Sequence, residues 1–314
     1  MQISVLIVTR QYLEKDIALK HAQMLESDDY DFEVLVGVGD NPSLQRNKLA
    51  EAAGGEYLLF LDNDSDPRPD LLKKYAELAT RNPEIKILGG PSLLSPEKDE
   101  WNRVLQLFFT SPLGIGPFRS RYNATGSTRL TDEKELILSN FFVQKAYFLD
   151  AGGFNKNFYP GEENEFLKRN RVKALYEPTA AVFRLPRKNI ADLLEQMICY
   201  GKGRAKHLLF NREDLLFLIP AFLVLYAVLV FLNPMNGVII LPLLVYLTII
   251  ALFTLLKLGL CPEVLMAPFV FGLAHLFYGL GIWTGIVRYK IFRQSEERAM
   301  TYFELIKLKS FSKI

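Results

Sequence analysis

The chain has 314 residues, half of them apolar, and its 37 basic and 35 acidic side chains leave a formal charge of +2. Basic–aromatic clusters outside the flanks of its apolar runs are too few to argue for nucleic acid, and no nucleic-acid partner is expected. Two cysteines, Cys199 and Cys261, supply neither a disulfide framework nor a metal pattern.

The apolar residues are unevenly placed. Residues 1–212 mix polar and apolar types as a soluble α/β domain does. Residues 215–287 hold three long runs, LLFLIPAFLVLYAVLVFL, VIILPLLVYLTIIALFTLL and VLMAPFVFGLAHLFYGLGIWTGIV. Apolar runs of about 18 residues or more are read as membrane spans. Lys202, Arg204, Lys206 and Arg212 precede the first run, and Arg288, Lys290 and Arg293 follow the last. The first basic cluster keeps the N-terminal domain cytoplasmic. Three full crossings would put the basic tail outside, so either the tail is exported or one segment enters and returns. The expectation is a cytoplasmic domain over 1–212, about three hydrophobic segments over 213–288 and a basic tail over 289–314, in a multi-pass protein of the cell inner membrane.

In chain order, MQISVLIVTRQYLEKD is too soon charged for a secretory signal, and Ile3–Val8 reads as a buried strand. An amphipathic helix is expected near Glu14–Leu25, a strand over Phe32–Val38, and a helix over Ser43–Ala53 capped by Ser43. Gly54 and Gly55 stop that helix. Tyr57–Leu61 then makes a strand, Pro67 and Pro69 lead into a helix over Asp70–Thr80, and Ile85–Leu88 is another strand. In EKDEWNRVLQLFF, Trp101, Val104, Leu105, Phe108 and Phe109 share a helix face, suited to a core or to a bilayer surface. Strands alternating with helices imply a mostly parallel sheet whose ligands bind beyond the carboxyl ends of its strands.

Two acidic groups fall where chemistry is expected. FLDNDSDPRPD (60–70) crowds four aspartates behind a strand, and like charges so close need a cation, hydrogen bonds or protonation. Asp62 and Asp64 offer hard oxygens to Mg²⁺ or Mn²⁺, although a solvated acidic turn gives the same pattern. In GGFNKNFYPGEENEFLKR (152–169), Glu162, Glu163 and Glu165 open a helix after a glycine-bearing loop. They suit a general base or ordinary enrichment at a helix N-terminus. His21, His207 and His275 are too scattered to form a metal site.

RNKLAEAAGGEYLLFLDND (46–64) and NFFVQKAYFLDAGGFNKNFYPGEENEF (140–166) resemble, in order and spacing, the motifs of a family 2 glycosyltransferase with the GT-A fold. YGKGR (200–204) and HLFYGLGIWTG (275–285) resemble membrane-attached members related to exopolysaccharide glycosyltransferases. The resemblance implies a Rossmann-like nucleotide-sugar-binding domain followed by transmembrane helices. It implies that Asp62 and Asp64 hold a metal and the donor diphosphate, and that Glu163, with Glu162 as runner-up, deprotonates an acceptor hydroxyl in one inverting step. Arg46, in the arginine-asparagine helix, joins the donor-binding set. Asp66 is either a supporting or a turn acid.

The chain departs from that pattern in several places. Thr9, Arg10 and Gln11 replace the usual proline-bearing strand end, and GVGDNPS (37–43) replaces the nucleotide-binding segment, leaving Asp40 for base or ribose. Arg184 stands where many relatives have a histidine; it cannot ligate a metal but can bind diphosphate. Gln196 and Arg204 partly match the motif of processive relatives, whose tryptophan is missing. Arg204 is a candidate for phosphate oxygens, with Lys202 and Lys206 toward acceptor or lipid headgroups. The expected acceptor is a lipid-linked saccharide in surface-polysaccharide assembly; polyprenyl phosphate is the alternative, and a noncatalytic membrane scaffold a third reading. Gly281 and Gly285 allow close helix contact, within the chain or in a homo-oligomer.

Overall fold

A computed structural model describes residues 1–14, 16–26, 30–96, 99–210, 218–291 and 300–311. The chain divides into two compact units: Met1–Ser95 with Pro117–Leu185 and Glu296–Ile314, and Pro96–Gly116 with Pro186–Ser295.

The first unit is α/β. It begins β1 (Gln2–Thr9), α1 (Ile17–His21), β2 (Asp31–Gly39), α2 (Pro42–Ala52), β3 (Tyr57–Asp62), β4 (Ser65–Pro67), α3 (Leu71–Arg81), β5 (Ile87–Gly89) and β6 (Ser92–Leu94). The second unit then contributes α4 (Glu100–Thr110). The first resumes with β7 (Arg129–Thr131), β8 (Phe141–Gln144), α5 (Lys145–Asp150), α6 (Glu162–Asn170), β9 (Ala174–Tyr176) and β10 (Val182–Arg184). Helices α7 (Ile190–Phe210), α8 (Ile219–Leu232), α9 (Gly237–Leu258) and α10 (Glu263–Ile286) belong to the second unit, and β11 (Phe303–Lys309) returns to the first.

The main sheet has eight strands in the order β11-β2-β1-β3-β8-β5-β9-β7. Successive side chains in a strand face opposite ways. Val5, Ile7, Val34, Val36, Leu59 and Leu61 therefore pack on one face with Leu71, Leu72 and Tyr75 of α3. Leu6, Val8, Leu35, Leu58 and Phe60 pack on the other with Leu49 of α2, Phe148 of α5 and Phe166 of α6. Burial on both faces is why these strands read as unbroken apolar runs.

Four expectations need correction. The sheet is mixed, not mostly parallel: β1 runs parallel to β2 and β3, but β8, β7 and β11 enter reversed. Parallel pairing needs a long crossover, and residues 117–140 supply only loops, 3₁₀ turns and the three-residue β7 ahead of β8. The first helix is the short α1 with a following 3₁₀ turn, and Ala18, Leu19, Ala22 and Leu25 are its core contacts. Asn41, not Ser43, caps α2 by accepting from Leu44 N; Pro42 occupies the first turn and moves the cap back. The basic tail contains β11, which pairs antiparallel with β2 from Phe303↔Gly39 onward. Its cations are used at the sheet: Lys307 pairs with the buried Glu33 at 2.7 Å.

In the second unit, Asp99 caps α4, and Phe108 meets Phe271 of α10 edge-on at 5.0 Å. Arg103 forms an ion pair with Glu263, and the aromatic face of α4 is thus packed against α10. Helices α7 and α10 touch through glycines: a Cβ at Gly201 would lie 2.2 Å from Tyr278 O, and one at Gly281 2.4 Å from Ile198 O. The close contact expected at Gly281 and Gly285 is therefore made inside the chain.

Two helices, Gly237–Leu258 and Glu263–Lys290, are long and apolar enough to cross a membrane. The first spans about 33 Å at 1.5 Å per residue, enough for a hydrocarbon core of about 30 Å. The first apolar run is seen as the shorter Ile219–Leu232; its start, with Arg212, lies outside the described residues, as does Arg293. Phe231, Val238 and Leu256 are 81–85% exposed, a surface that water does not tolerate in a contiguous patch. These helices make the chain membrane-associated.

Candidate functional site

Helix α2 joins the two acidic motifs. Arg46 is 4% exposed; its Nη2 donates to Asp62 Oδ1 at 2.7 Å and its Nη1 to Glu162 Oε1 at 2.6 Å. The next residue works on the same loop: Asn47 Nδ2 donates to Phe154 O, and Phe154 N donates back to Asn47 Oδ1. Gly153 makes this clamp possible, since it has φ 62° and a Cβ there would sit 2.7 Å from Asn47 Oδ1. The GGF turn is thereby fixed, and the chain re-enters at Gly161, whose φ of 105° starts α6.

The first two acids of α6 differ in their surroundings. Both carboxylate oxygens of Glu162 are engaged, Oε1 by Arg46 and Oε2 by Gly161 N at 3.1 Å. Burial raises its pKa to about 7, Arg46 opposing and the charge of Glu163 adding to the rise. Glu163 meets Arg121 Nη1 at 3.3 Å. Arg121 also donates to Asn164 Oδ1 and to Glu133 O, which fixes it over the start of the helix.

On the other side, β3 ends at Asp62, and Ser65 Oγ accepts from Asp62 N to hold the Asp-Asn-Asp turn. Strand β10 pairs with β4, register Arg184↔Ser65, and aims Arg184 Nη2 at Asp64 Oδ2, 3.2 Å away. Asp66 has turned away to His21, at 2.6 Å. Asp62, Asp64, Arg46, Arg184, Glu162 and Glu163 are thus assembled at one end of the sheet.

Among the described residues no group of three metal-ligating side chains occurs. The donor set nevertheless fits a hard cation completed by a substrate. Mg²⁺ is commonly held by one or two carboxylates plus phosphate oxygens. The Asp62 and Asp64 side chains are 34% and 30% exposed, each with an arginine on one oxygen.

Asp40 is differently employed than expected. Its carboxylate accepts from Thr301 N at 3.1 Å and from Thr301 Oγ1, clasping the segment that leads into β11. In the second unit, Arg204 Nε donates to Tyr278 Oη at 3.3 Å and Lys206 lies over the Tyr289 ring at 4.7 Å. Gln196 is bonded to Arg187 and Tyr200. Lys202 lies against Gly285 on α10.

Arg121, Thr301 and Tyr302 were not singled out by sequence. Arg121 carries no local motif and acts 42 positions away.

Residues 13–144 match the model of "Glycosyl transferase family 2". Over that stretch the chain is similar to a family 2 glycosyltransferase domain. Domains of this family act on nucleotide-sugar donors. Among solved structures, the fold is similar to the mannosyltransferase PcManGT from Pyrobaculum calidifontis in complex with GDP-Man and Mn²⁺. That match has 13% identity and a TM-score of 0.50 over 90% of this chain and 87% of that one. S. aureus TarS 1-349 in complex with UDP matches at 14% identity and TM-score 0.43 over 90% and 91%. A longer TarS chain matches at 18% and 0.41; this chain covers 41% of it and is itself covered over 68%. No curated protein sequence matches the chain. The chain has the expected α/β GT-A-like fold, with apolar C-terminal helices.

Proposed function

We propose that the chain is an inverting glycosyltransferase that moves a sugar from a nucleotide-sugar to a hydroxyl of a lipid-linked saccharide at the cytoplasmic face of the cell membrane. The observation that carries this reading is Arg46, whose two nitrogens tie the strand-end aspartates to the helix-start glutamates. A donor diphosphate and an acceptor hydroxyl then meet across one guanidinium.

Glu163 is the proposed base, because both oxygens of Glu162 are already committed. The acceptor oxygen forms a bond to the anomeric carbon while its proton passes to the Glu163 carboxylate. The bond from that carbon to the leaving phosphate oxygen breaks, and the nucleoside diphosphate departs with the electron pair. Arg184 is set to bind the diphosphate beside Asp64. Asp62 and Asp64 would hold Mg²⁺ or Mn²⁺, which when bound offsets negative charge on the leaving group. Arg121 orients Glu163 through the first turn of α6.

The pairing of β11 with β2 supports a topology as well. Residues on both sides of the apolar helices share one sheet, so the helices between them cross the membrane an even number of times, and the tail is not exported. A reporter fused at the C-terminus should be cytoplasmic like one at the N-terminus; an external C-terminus refutes this topology.

The direct test is a screen of nucleotide sugars with Mg²⁺ or Mn²⁺ against native lipid extract, GDP-mannose first, with products identified by mass and linkage. Transfer to a saccharide hydroxyl is expected. A sugar found on polyprenyl phosphate would replace the acceptor assignment and remove the need for a base. Absence of transfer from every donor would refute the enzyme reading.

A further inference from the structure

The donor-site reading places a diphosphate at the end of β3 but says nothing of what holds the other end of the nucleotide. In sheet order β3 is followed by β1 and then β2. Two strand spacings, about 10 Å, carry a nucleoside from the Asp-Asn-Asp turn to the carboxyl ends of β1 and β2. At that end the side chains are unlike the family's pattern: Thr9, Arg10 and Gln11 after β1, Gly39 and Asp40 after β2.

The C-terminal segment arrives at this place. Because β11 is antiparallel to β2, its first residue, Phe303, lies opposite Gly39, and residues 300–302 enter over the carboxyl edge of the sheet. Three contacts fix them there. Asp40 accepts from Thr301 N and Oγ1. Gly39 lets the backbone approach, since a Cβ would fall 2.9 Å from Tyr302 O. Tyr302 Oη donates to Arg10 O at 2.5 Å, so this side chain reaches from the β11 edge to the residue after β1. Tyr302 is still 49% exposed, whereas Tyr12 is packed against the core and Lys48 lies over the ring of Phe303. A half-exposed aromatic side chain tethered at its hydroxyl is suited to stacking, and every nucleobase has a face to offer it.

We propose that Tyr302, held by the Asp40–Thr301 clasp, is the platform on which the nucleobase of the donor stacks, so that the segment after the membrane helices completes the donor site. The proposal rests on the donor-site reading above. It gives Asp40 a positioning role in place of the direct base or ribose contact expected from sequence.

Calorimetry on the full chain in nanodiscs, with UDP, GDP, CDP and inorganic pyrophosphate as probes, each with Mn²⁺, tests it. Tyr302→Leu should weaken binding of the preferred nucleoside diphosphate by roughly tenfold or more, the worth of one base–aromatic stack, and leave pyrophosphate binding unchanged. Tyr302→Phe keeps the ring but loses the bond to Arg10 O, so it should weaken binding less than Tyr302→Leu does. Tyr302→Trp reports without relying on an affinity: its added emission, above that of Trp101 and Trp283, should be quenched by the nucleoside diphosphate and not by pyrophosphate. Wild-type affinity in Tyr302→Leu, an equal loss for pyrophosphate, or no quenching in Tyr302→Trp overturns the proposal while leaving the donor site standing. A wild-type protein that binds pyrophosphate but no nucleoside diphosphate overturns both.

Discussion

Arg46 donates to Asp62 and to Glu162 at 2.7 and 2.6 Å, from a helix that neither acid belongs to. A buried arginine between two carboxylates is costly to remove, because what remains is an uncompensated buried charge, with a cost of about 3–5 kcal/mol. Arg46→Met should therefore lower stability by that order and abolish transfer. Arg46→Lys keeps the charge but cannot fork to two acids, so it should fold while losing much of its turnover.

The size of that loss should depend on pH. Burial holds Glu162 near 7, above its ordinary 4.5. A carboxyl with a raised pKa favours the fold when protonated: its contribution is complete below about 4.5 and is lost as pH rises through about 7. Without Arg46 the charged form has lost its partner, so Arg46→Met should fall further behind the wild type at pH 8 than at pH 5. Thermal unfolding at both values measures it; a difference independent of pH would show that Glu162 does not titrate in this range.

Asp64→Asn should depress metal-dependent donor binding and turnover with the membrane unit still folded, since Asp64 is a third exposed and meets one arginine across the turn. Asp62→Asn should add a structural penalty, because it also weakens a partner of buried Arg46. Donor affinity followed across a Mn²⁺ titration separates the two. Near-normal turnover in both variants at every metal concentration would sink the metal assignment.

Strands β1, β2, β3 and β5, the acid pair after β3 and the glutamates opening α6 were legible because local rules fix them. An apolar run ends on aspartates, and a glycine-bearing loop precedes a charged first turn. That Arg46 and Asn47 hold the second motif was not legible from spacing, since the contacts span 116 and 107 positions. The reversed strands were missed because β7 and β8 are three and four residues long. In FELIKLK the apolar residues did carry a strand signal, with Ile306 and Leu308 packing against the core; its basic charge made it read as a tail. Arg121 and Tyr302 left no signal at all, because their importance lies in where distant segments arrive.

The glycine seam of α7 and α10 should be intolerant of side chains. At Gly201 an added Cβ would meet backbone, Tyr278 O at 2.2 Å and Gly281 Cα at 2.8 Å, so no rotamer change relieves the clash. Gly201→Val should separate the helices and reduce the yield of folded protein in membranes. Gly237→Ala, with no atom within 4 Å of the new Cβ, is the matched control.

The choice between Glu163 and Glu162 as base can be made by two substitutions and a pH profile. Glu163→Gln keeps size and removes the proton acceptor; with a saccharide hydroxyl as acceptor it should retain donor binding and lose turnover by roughly 10²–10⁴-fold. Glu162→Gln keeps a carbonyl oxygen for either Arg46 or Gly161 N, so it should be milder and show its effect mainly in stability. If Glu162 were instead the base, wild-type kcat would climb with pH through an inflection near 7, where burial holds this carboxyl, and Glu162→Gln would be the more damaging change. Calorimetry for donor binding and radiolabelled product at matched acceptor concentration give the two readouts. Full transfer by Glu163→Gln, with the same linkage formed, would end its role as base and leave Glu162 or an already anionic phosphate acceptor to account for the reaction.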